Sequence, residues 1–501
     1  MPDSNRSEDS GEREQLKNRA ARGAVQTFFA KYYATATGMA YGVAMARILD
    51  PKDFGLVALA VFFLMLSTRL REFSLDEILI QKQEDDDKVY ATHWTTQLTL
   101  GGFQLVLILA SLPLLNRFYP EARVENATLT GVLGVLLAGE MLTVASSTPY
   151  TMLCKQMRFR HLAILEVSGS TIGAGSGIVL ALSGFGVWGL AVGRAAPALF
   201  RFAYCWLLRP WKPHFAWDAQ VARSFFRLGI YMWLTQTTLF LAFSAGDFLV
   251  GSMVGLAALG FFSKAGHLVG LPAEIITSML ATVSYPVYCR LQKDPQDVGR
   301  VLARVLAVVY RFTLPISLGI LLVGGEAVEI VLGEKWLPAV PLLKIMALYT
   351  VLRSVFDDTG RVFVALGKPH ITAKLRAVQS ALHLAACYLL VRRFGAVGAA
   401  ISVDFGVLLG VLLNYTCLQR MIDLPLRRVF LRPTLCGLLT LAVTMASAAA
   451  LAPMGLYAAF VFKGTLCVMM YFGLLYLVDR EDMLGEFALL KTAFAVRRSK
   501  Q

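Results

Sequence analysis

Long apolar runs alternate with short polar breaks along most of the chain. A helix needs about 20 mostly apolar residues to cross a bilayer, and about fourteen runs of that kind can be marked, the first at 24–48 and 54–78 and the last at 429–452 and 455–478. No polar stretch between them exceeds roughly 20–25 residues. A folded soluble domain starts near ~50 residues. The pattern therefore predicts an all-α integral membrane protein whose working parts are its helices. The second run differs in ending on STRLREFSLDE, residues 67–77, an amphipathic stretch suited to the membrane interface.

The pattern also repeats. DPKDFGLVALA (50–60) is echoed by GLAALGFFSKA (255–265), aligning Gly55 with Gly260. GFGVWGLAVG (184–193) returns as RFGAVGAAISV (393–403), and FRHLAIL (159–165) returns near KPHITAKL (368–375), aligning His161 with His370. The three echoes keep their order at offsets of roughly 205–209 residues. Six runs thus resemble the next six, with two left over. Internal repeats mark transporter folds, and a six-span repeat keeps its orientation, so two lobes related by a pseudo-twofold axis along the membrane normal are predicted, with a path between them. The resulting plan is a disordered cytoplasmic tail (1–22), an N-lobe (23–208), a cytoplasmic linker (209–224), a C-lobe (225–420), a trailing helix pair (421–480) and a basic cytoplasmic tail (481–501).

Composition agrees. The chain is 56% hydrophobic and 16% charged, against about 45–50% and about 25% for soluble domains. The net charge of +14 would raise nucleic-acid binding in a soluble protein. Here the basic residues lie between apolar runs, and with the N-terminus inside, about 32 Lys and Arg fall on cytoplasmic segments against about 8 outside. That asymmetry sets orientation, places both termini in the cytoplasm and removes the case for nucleic acid. The seven cysteines are scattered, without metal-ligand spacing, and read as packing residues. The first 22 residues lack the apolar core of a secretory signal. No metal or organic cofactor is predicted.

Several phrases resemble the polysaccharide-transporter branch of the multidrug/oligosaccharidyl-lipid/polysaccharide (MOP) exporter superfamily, the Wzx-type flippases. They are ARILDPKDFGLVALA, LREFSLDEILIQK, KQMRFRHLAILEV, GFGVWGLAVG, LVGSMVGLAALGFFSKA, LGEKWLPAVPLLKIMALY and FVALGKPHITAKL, running from about residue 40 to about 375. The resemblance implies about fourteen transmembrane helices in two six-helix lobes plus a trailing pair, alternating access, and a lipid-linked oligosaccharide cargo, on an undecaprenyl-diphosphate carrier, moved from the inner to the outer leaflet of a bacterial inner membrane. Polysaccharide polymerase and chain-length proteins are partners implied by the family alone. Where relatives often carry D-L-G after the second span, this chain has Glu72-Phe73-Ser74.

Ionisable groups at membrane depth are costly and face a cavity or a partner. A lipid diphosphate is a dense anion, so Arg and Lys lining a cavity suit it. Lys31, Arg194, Lys264 and Arg311 are the expected basic lining between the lobes, with Arg353 as a further substrate-binding candidate. Lys264, His267, Glu274 and Ser278 share one helical stripe, and Arg353, Asp357 and Arg361 form a row of alternating sign. Asp247, Glu274 and Glu140 are candidates for coupling to a proton or sodium gradient. Rival readings are a cation-exporting multidrug transporter, whose lumen should be acidic, a peptidoglycan-precursor flippase, and a membrane glycosyltransferase or polymerase. The last needs an acidic metal motif or a large outer loop, and the only acidic cluster, EDDD at 84–87, reads as a solvated loop face.

Overall fold

The computed structural model describes residues 4–82, 86–119, 122–124, 127–208, 211–450 and 455–480. Its helices run in order α1 (Ser4–Ile48), α2 (Pro51–Arg71), α3 (Leu75–Gln81), α4 (Asp87–Phe118), α5 (Leu129–Ala145), α6 (Ser147–Lys155), α7 (Phe159–Leu180), α8 (Val187–Leu207), α9 (Ala219–Met253), α10 (Leu256–Arg290), α11 (Pro295–Val331), α12 (Val340–Ile345), α13 (Ala347–Ala365), α14 (Pro369–Leu418), α15 (Leu426–Ala450) and α16 (Leu456–Val478). Two-residue strands β1 (Arg123–Val124) and β2 (Ala127–Thr128) pair antiparallel before α5. The chain forms two compact units, Met1–Leu241 and Ala242–Gln501, so α9 contributes to both.

Helix starts follow the sequence signals. In the phrase DPKDFG, the backbone N–H of Asp50 donates to Asp53 Oδ2 at 3.0 Å and Pro51 opens α2, an arrangement that satisfies an orphan donor and uses proline where no N–H is missed. At the other end, α1 begins at Ser4 and takes in residues 4–22, read above as an unstructured tail. After Gly11 that stretch holds no further glycine or proline before Gly23 and is rich in Glu, Gln, Lys, Arg and Ala, all good helix formers. The basic tail at 481–501 lies outside the described residues.

Among the described residues, seven helices are long and apolar enough to cross a membrane, or up to nine when each of two bent pairs is taken as one span. Two physical reasons separate this from fourteen runs. The expected spans 371–391 and 395–418 join in α14, which breaks only at Gly395. Helices α1, α8, α9 and α10 carry polar groups that lower their hydropathy, including Lys31, Arg194, Arg201, Asp247, His267 and Glu274.

The repeated phrases fold alike. Gly186 before α8 has φ 56, ψ −123, and Gly395 within α14 has φ 60, ψ −137. The turn ahead of α7 bonds Arg158 N–H to Leu153 O at 3.0 Å around Met157 (φ 51), and the turn ahead of α14 bonds Lys368 N–H to Phe363 O at 2.8 Å around Gly367 (φ 71). Both are C-terminal helix caps closed by a left-handed residue. In this register His370 stands opposite Arg160, one residue from the alignment with His161. Bends recur as well: α5 and α6 meet at 49°, and Glu334–Ile345 meets α13 at 46°.

In the first unit α8 packs on α7 and α5, α7 on α1, and α5 on α2 and α4. The approach of α7 to α8 is close enough that a Cβ on Gly173 would sit 2.6 Å from Gly193 O. Small residues at four-residue spacing allow this contact. In the second unit α13 packs on α10, α11 and α14, and α11 carries α15 and α16.

Candidate functional site

Among the described residues, each unit holds a polar cavity between its helices. The second unit's cavity, about 370 Å³, lies between α10 and α13 and is lined by His267, Glu274 and Ser278 on one side and Tyr349, Arg353, Asp357 and Arg361 on the other. The size falls in the range of small-molecule sites. The two stripes read separately in the sequence therefore face each other across one space. Arg353 Nε donates to Asp357 Oδ2 at 3.0 Å, and its guanidinium stands 5.4 Å from the centre of the Phe243 ring. Arg361 turns to Asp358 instead of Asp357, with Nη1 to Oδ1 at 3.3 Å. Asp358 is 2% exposed and also accepts from Tyr288 OH at 2.6 Å and Ser284 Oγ at 3.2 Å, so the carboxylate that orients Arg361 is itself fixed. Both arginine side chains keep about a third of their surface open, 32% for Arg353 and 29% for Arg361. Eight residues of helix separate them by about 12 Å. Two planar, oriented donors at that spacing can bond an extended anion, with Glu274 and Asp357 as the carboxylates on the same lining.

The first unit's cavity, about 200 Å³, is lined by Arg71, Glu72, Asp76, Gln97, Glu140, Ser147 and Arg201 among others. Arg71, only 8% exposed, donates to Glu140 and to Gln104 Oε1, and Gln104 in turn donates to Ser67 and Thr68 at 3.0 Å each. Asp76 accepts from Thr151 Oγ1 at 2.8 Å and faces His93 Nε2 at 3.3 Å. Burial pushes the Asp76 carboxyl up, but the adjacent His93 imidazole, the hydrogen bond from Thr151 and the nearby Arg201 charge outweigh it and hold it below the usual carboxylate range. Arg201 stacks on Tyr150, 3.9 Å from its ring centre.

The sequence candidates divide between these surroundings. Glu274 and Arg353 line the second cavity. Glu140 lines the first, paired with Arg71. Lys31 on α1 and Arg194 on α8 are exposed side chains of the first unit. Asp247 is half-buried on α9. Lys264 and Arg311 are placed differently from the expected lining. Lys264 is 8% exposed, with its ammonium 5.7 Å from the centre of the Trp336 ring. Arg311 is 4% exposed and forms an ion pair with Asp479, which also accepts from Arg432 at 2.6 Å. A deep charge satisfies its cost with any partner, and here the partner is a carboxylate just past α16. Arg71, Asp76, His93 and Asp358 were not singled out in the sequence. Arg71 reads as a cytoplasmic loop charge. Asp358 is hidden by its neighbour Asp357, which fits the four-residue row better.

Part of the acidic cluster at 84–87 falls outside the described residues; of the rest, Asp86 caps α4 by accepting from Lys88 N–H at 3.1 Å and Asp87 accepts from Trp211 Nε1.

Comparison with known proteins gives a consistent picture. A family model described as "Polysaccharide biosynthesis protein" matches residues 44–341. The succinoglycan biosynthesis transport protein ExoT of Rhizobium meliloti (strain 1021) is 25% identical over 306 residues, 61% of this chain and 60% of that one. The lipopolysaccharide biosynthesis protein WzxC of Escherichia coli (strain K12) is 21% identical over 406 residues, 80% of this chain and 81% of that one. The chain spans about three-fifths of the length of the first relatives it matches. Among solved structures, the lipid II flippase MurJ in an inward closed conformation superposes with a TM-score of 0.71 at 15% identity, over 92% of this chain and 99% of that one, a likeness of fold. With a family model covering more than half its length and a multi-helix fold of this kind, the chain belongs to the polysaccharide biosynthesis protein family.

Proposed function

We propose that the protein is a transporter, not an enzyme, that moves a lipid-linked oligosaccharide, on an undecaprenyl-diphosphate carrier, from the inner to the outer leaflet of a bacterial inner membrane during surface polysaccharide synthesis. Family membership and the names of the relatives support the substrate class. The observation that carries the reading onto this chain is the second cavity, where Arg353 and Arg361 are held in place yet remain partly open. A diphosphate crossing a low-dielectric slab needs donors of that kind. Lys31 and Arg194, exposed on membrane-depth helices, are proposed to guide the same anion. The fourteen-span, two-lobe plan with both termini cytoplasmic is part of this reading, supported by the basic-residue asymmetry and the repeated turns. Asp247 and Glu274 remain the proposed contacts for a driving ion, and polymerase and chain-length proteins the proposed partners.

Deleting the gene and following both surface polysaccharide and the leaflet position of the lipid-linked intermediate tests this. The intermediate should accumulate facing the cytoplasm. Wild type should restore export, and Arg353→Gln at equal membrane abundance should restore it at least about tenfold less well, the scale of one lost charge-assisted contact. Unchanged polysaccharide with raised sensitivity to cationic drugs would replace the reading with multidrug export.

A further inference from the structure

His93 on α4 is fully buried, and both of its ring nitrogens face polar atoms. Nε2 lies at ion-pair distance, 3.3 Å, from Asp76 Oδ1 on α3 without the alignment of a hydrogen bond, and Nδ1 shares a hydrogen bond of 2.9 Å with Thr148 Oγ1 on α6. The next residue, Trp94, donates from Nε1 to the Ala145 carbonyl at 3.3 Å. Ala145 ends α5, Thr148 is the second residue of α6, and the chain bends by 49° between them. Two consecutive residues of α4 therefore grip opposite sides of one bend. Ser147, inside the bend, lines the first cavity, and its buried Oγ has no hydrogen-bond partner among the described residues.

We propose that His93 and Asp76 form a proton-binding site in the first unit, and that the proton held there sets the bend at Ser146. A neutral imidazole carries one N–H. With that hydrogen on Nε2, toward Asp76, Nδ1 accepts from the Thr148 hydroxyl. A proton taken from water adds to Nδ1, and the imidazolium donates from both nitrogens. The Thr148 oxygen must then accept, and its own hydrogen turns to another acceptor. The hydrogen bond on the α6 side reverses, while the Trp94 bond on the α5 side is unchanged. Ser147 Oγ offers a polar foothold for water entering from the cavity.

The surrounding charges leave this pair as the responsive element. Arg71 and Glu140 neutralise each other across α2 and α5. Just past α3, Lys82 lies 4.9 Å above the ring of Phe225 on α9, which packs against His93. From α6, Lys155 lies 5.3 Å above the Tyr90 ring, and Cys154 and Arg201 stand near Asp76. Glu72 and Glu77 are exposed at the cavity mouth. Asp76 is the carboxylate at ion-pair distance from the imidazole, and it stays ionised because its carboxyl is held low.

That the proton drives a transport cycle rests on the proposed function; that it binds and moves the bend does not. The test uses the full chain in lipid nanodiscs with isotope-labelled histidine. Six imidazole signals are present, and His93→Gln identifies one. That signal should change with pH over the range in which the protein stays folded, and Asp76→Asn should displace its midpoint. Amide exchange over residues 142–152, corrected for intrinsic pH dependence, should change with the same midpoint in wild type and lose that dependence in His93→Gln. A signal silent in this range, or exchange that varies identically in wild type and His93→Gln, overturns the proposal. Should His93→Gln not fold, Thr148→Val keeps the ring and carboxylate and must uncouple the exchange from the histidine titrations; unchanged coupling overturns it equally. No readout involves sugar export, so failure of the transport reading and failure of this site are separate results.

Discussion

Single residues carry the repeat's history in their backbone angles. Met157 and Ser74 are held at φ 51 and 53, a region that penalises a side chain, while the turn matching Met157 has Gly367 at φ 71. Met157→Gly should stabilise the protein by up to about 1 kcal/mol, and Gly367→Met should destabilise it by about 1 kcal/mol or more, both read as melting temperature in detergent. Ser74 stands where the resemblance has the glycine of D-L-G, and it occupies a left-handed conformation that favours glycine. The side-chain chemistry was less legible. Spacing placed Glu274 and Arg353 on helix faces that do line a cavity, because a helix face depends only on local period. Arg71, His93 and Asp358 depend on which other helix comes near, and no local pattern encodes that distance.

At the scale of elements, the start of α2 was readable because Asp50-Pro51 is a local signal. The breaks were not. The expected spans 127–152 and 338–365 each contain a bend, at Ser146 and at Met346, yet stay apolar through it, and hydropathy averages over a change of direction. The contact of α7 with α8 is an element-level feature sensitive to substitution. A Cβ on Gly177 would meet Tyr41 OH at 2.5 Å and Gly189 O at 2.8 Å, and the second of these is backbone that cannot swing aside. Gly177→Val should cost about 1–3 kcal/mol through overpacking, whereas Gly102→Ala on α4, with nothing within 4 Å, should be neutral or mildly stabilising. Comparing the two by thermal unfolding separates close approach from mere loss of glycine.

For the whole molecule, the two trailing helices are tied to the second unit by charge as well as by apolar packing. Lys463 on α16 bonds Glu326 at the end of α11, and Asp479 takes both Arg311 of α11 and Arg432 of α15. Asp479→Asn removes the carboxylate that Arg311 and Arg432 share and should destabilise the fold by about 3–5 kcal/mol, seen as early unfolding of the α15–α16 pair in amide exchange. The same arrangement bears on how the chain is made. Asp479 follows Arg311 by 168 residues, so in a chain threaded into the bilayer helix by helix the α11 guanidinium waits for this carboxylate until α16 has been made. Helix α16 is thus a seal on assembly of the second unit: until it arrives, α11 keeps an exposed mark of incompleteness, readable by the membrane's own quality control.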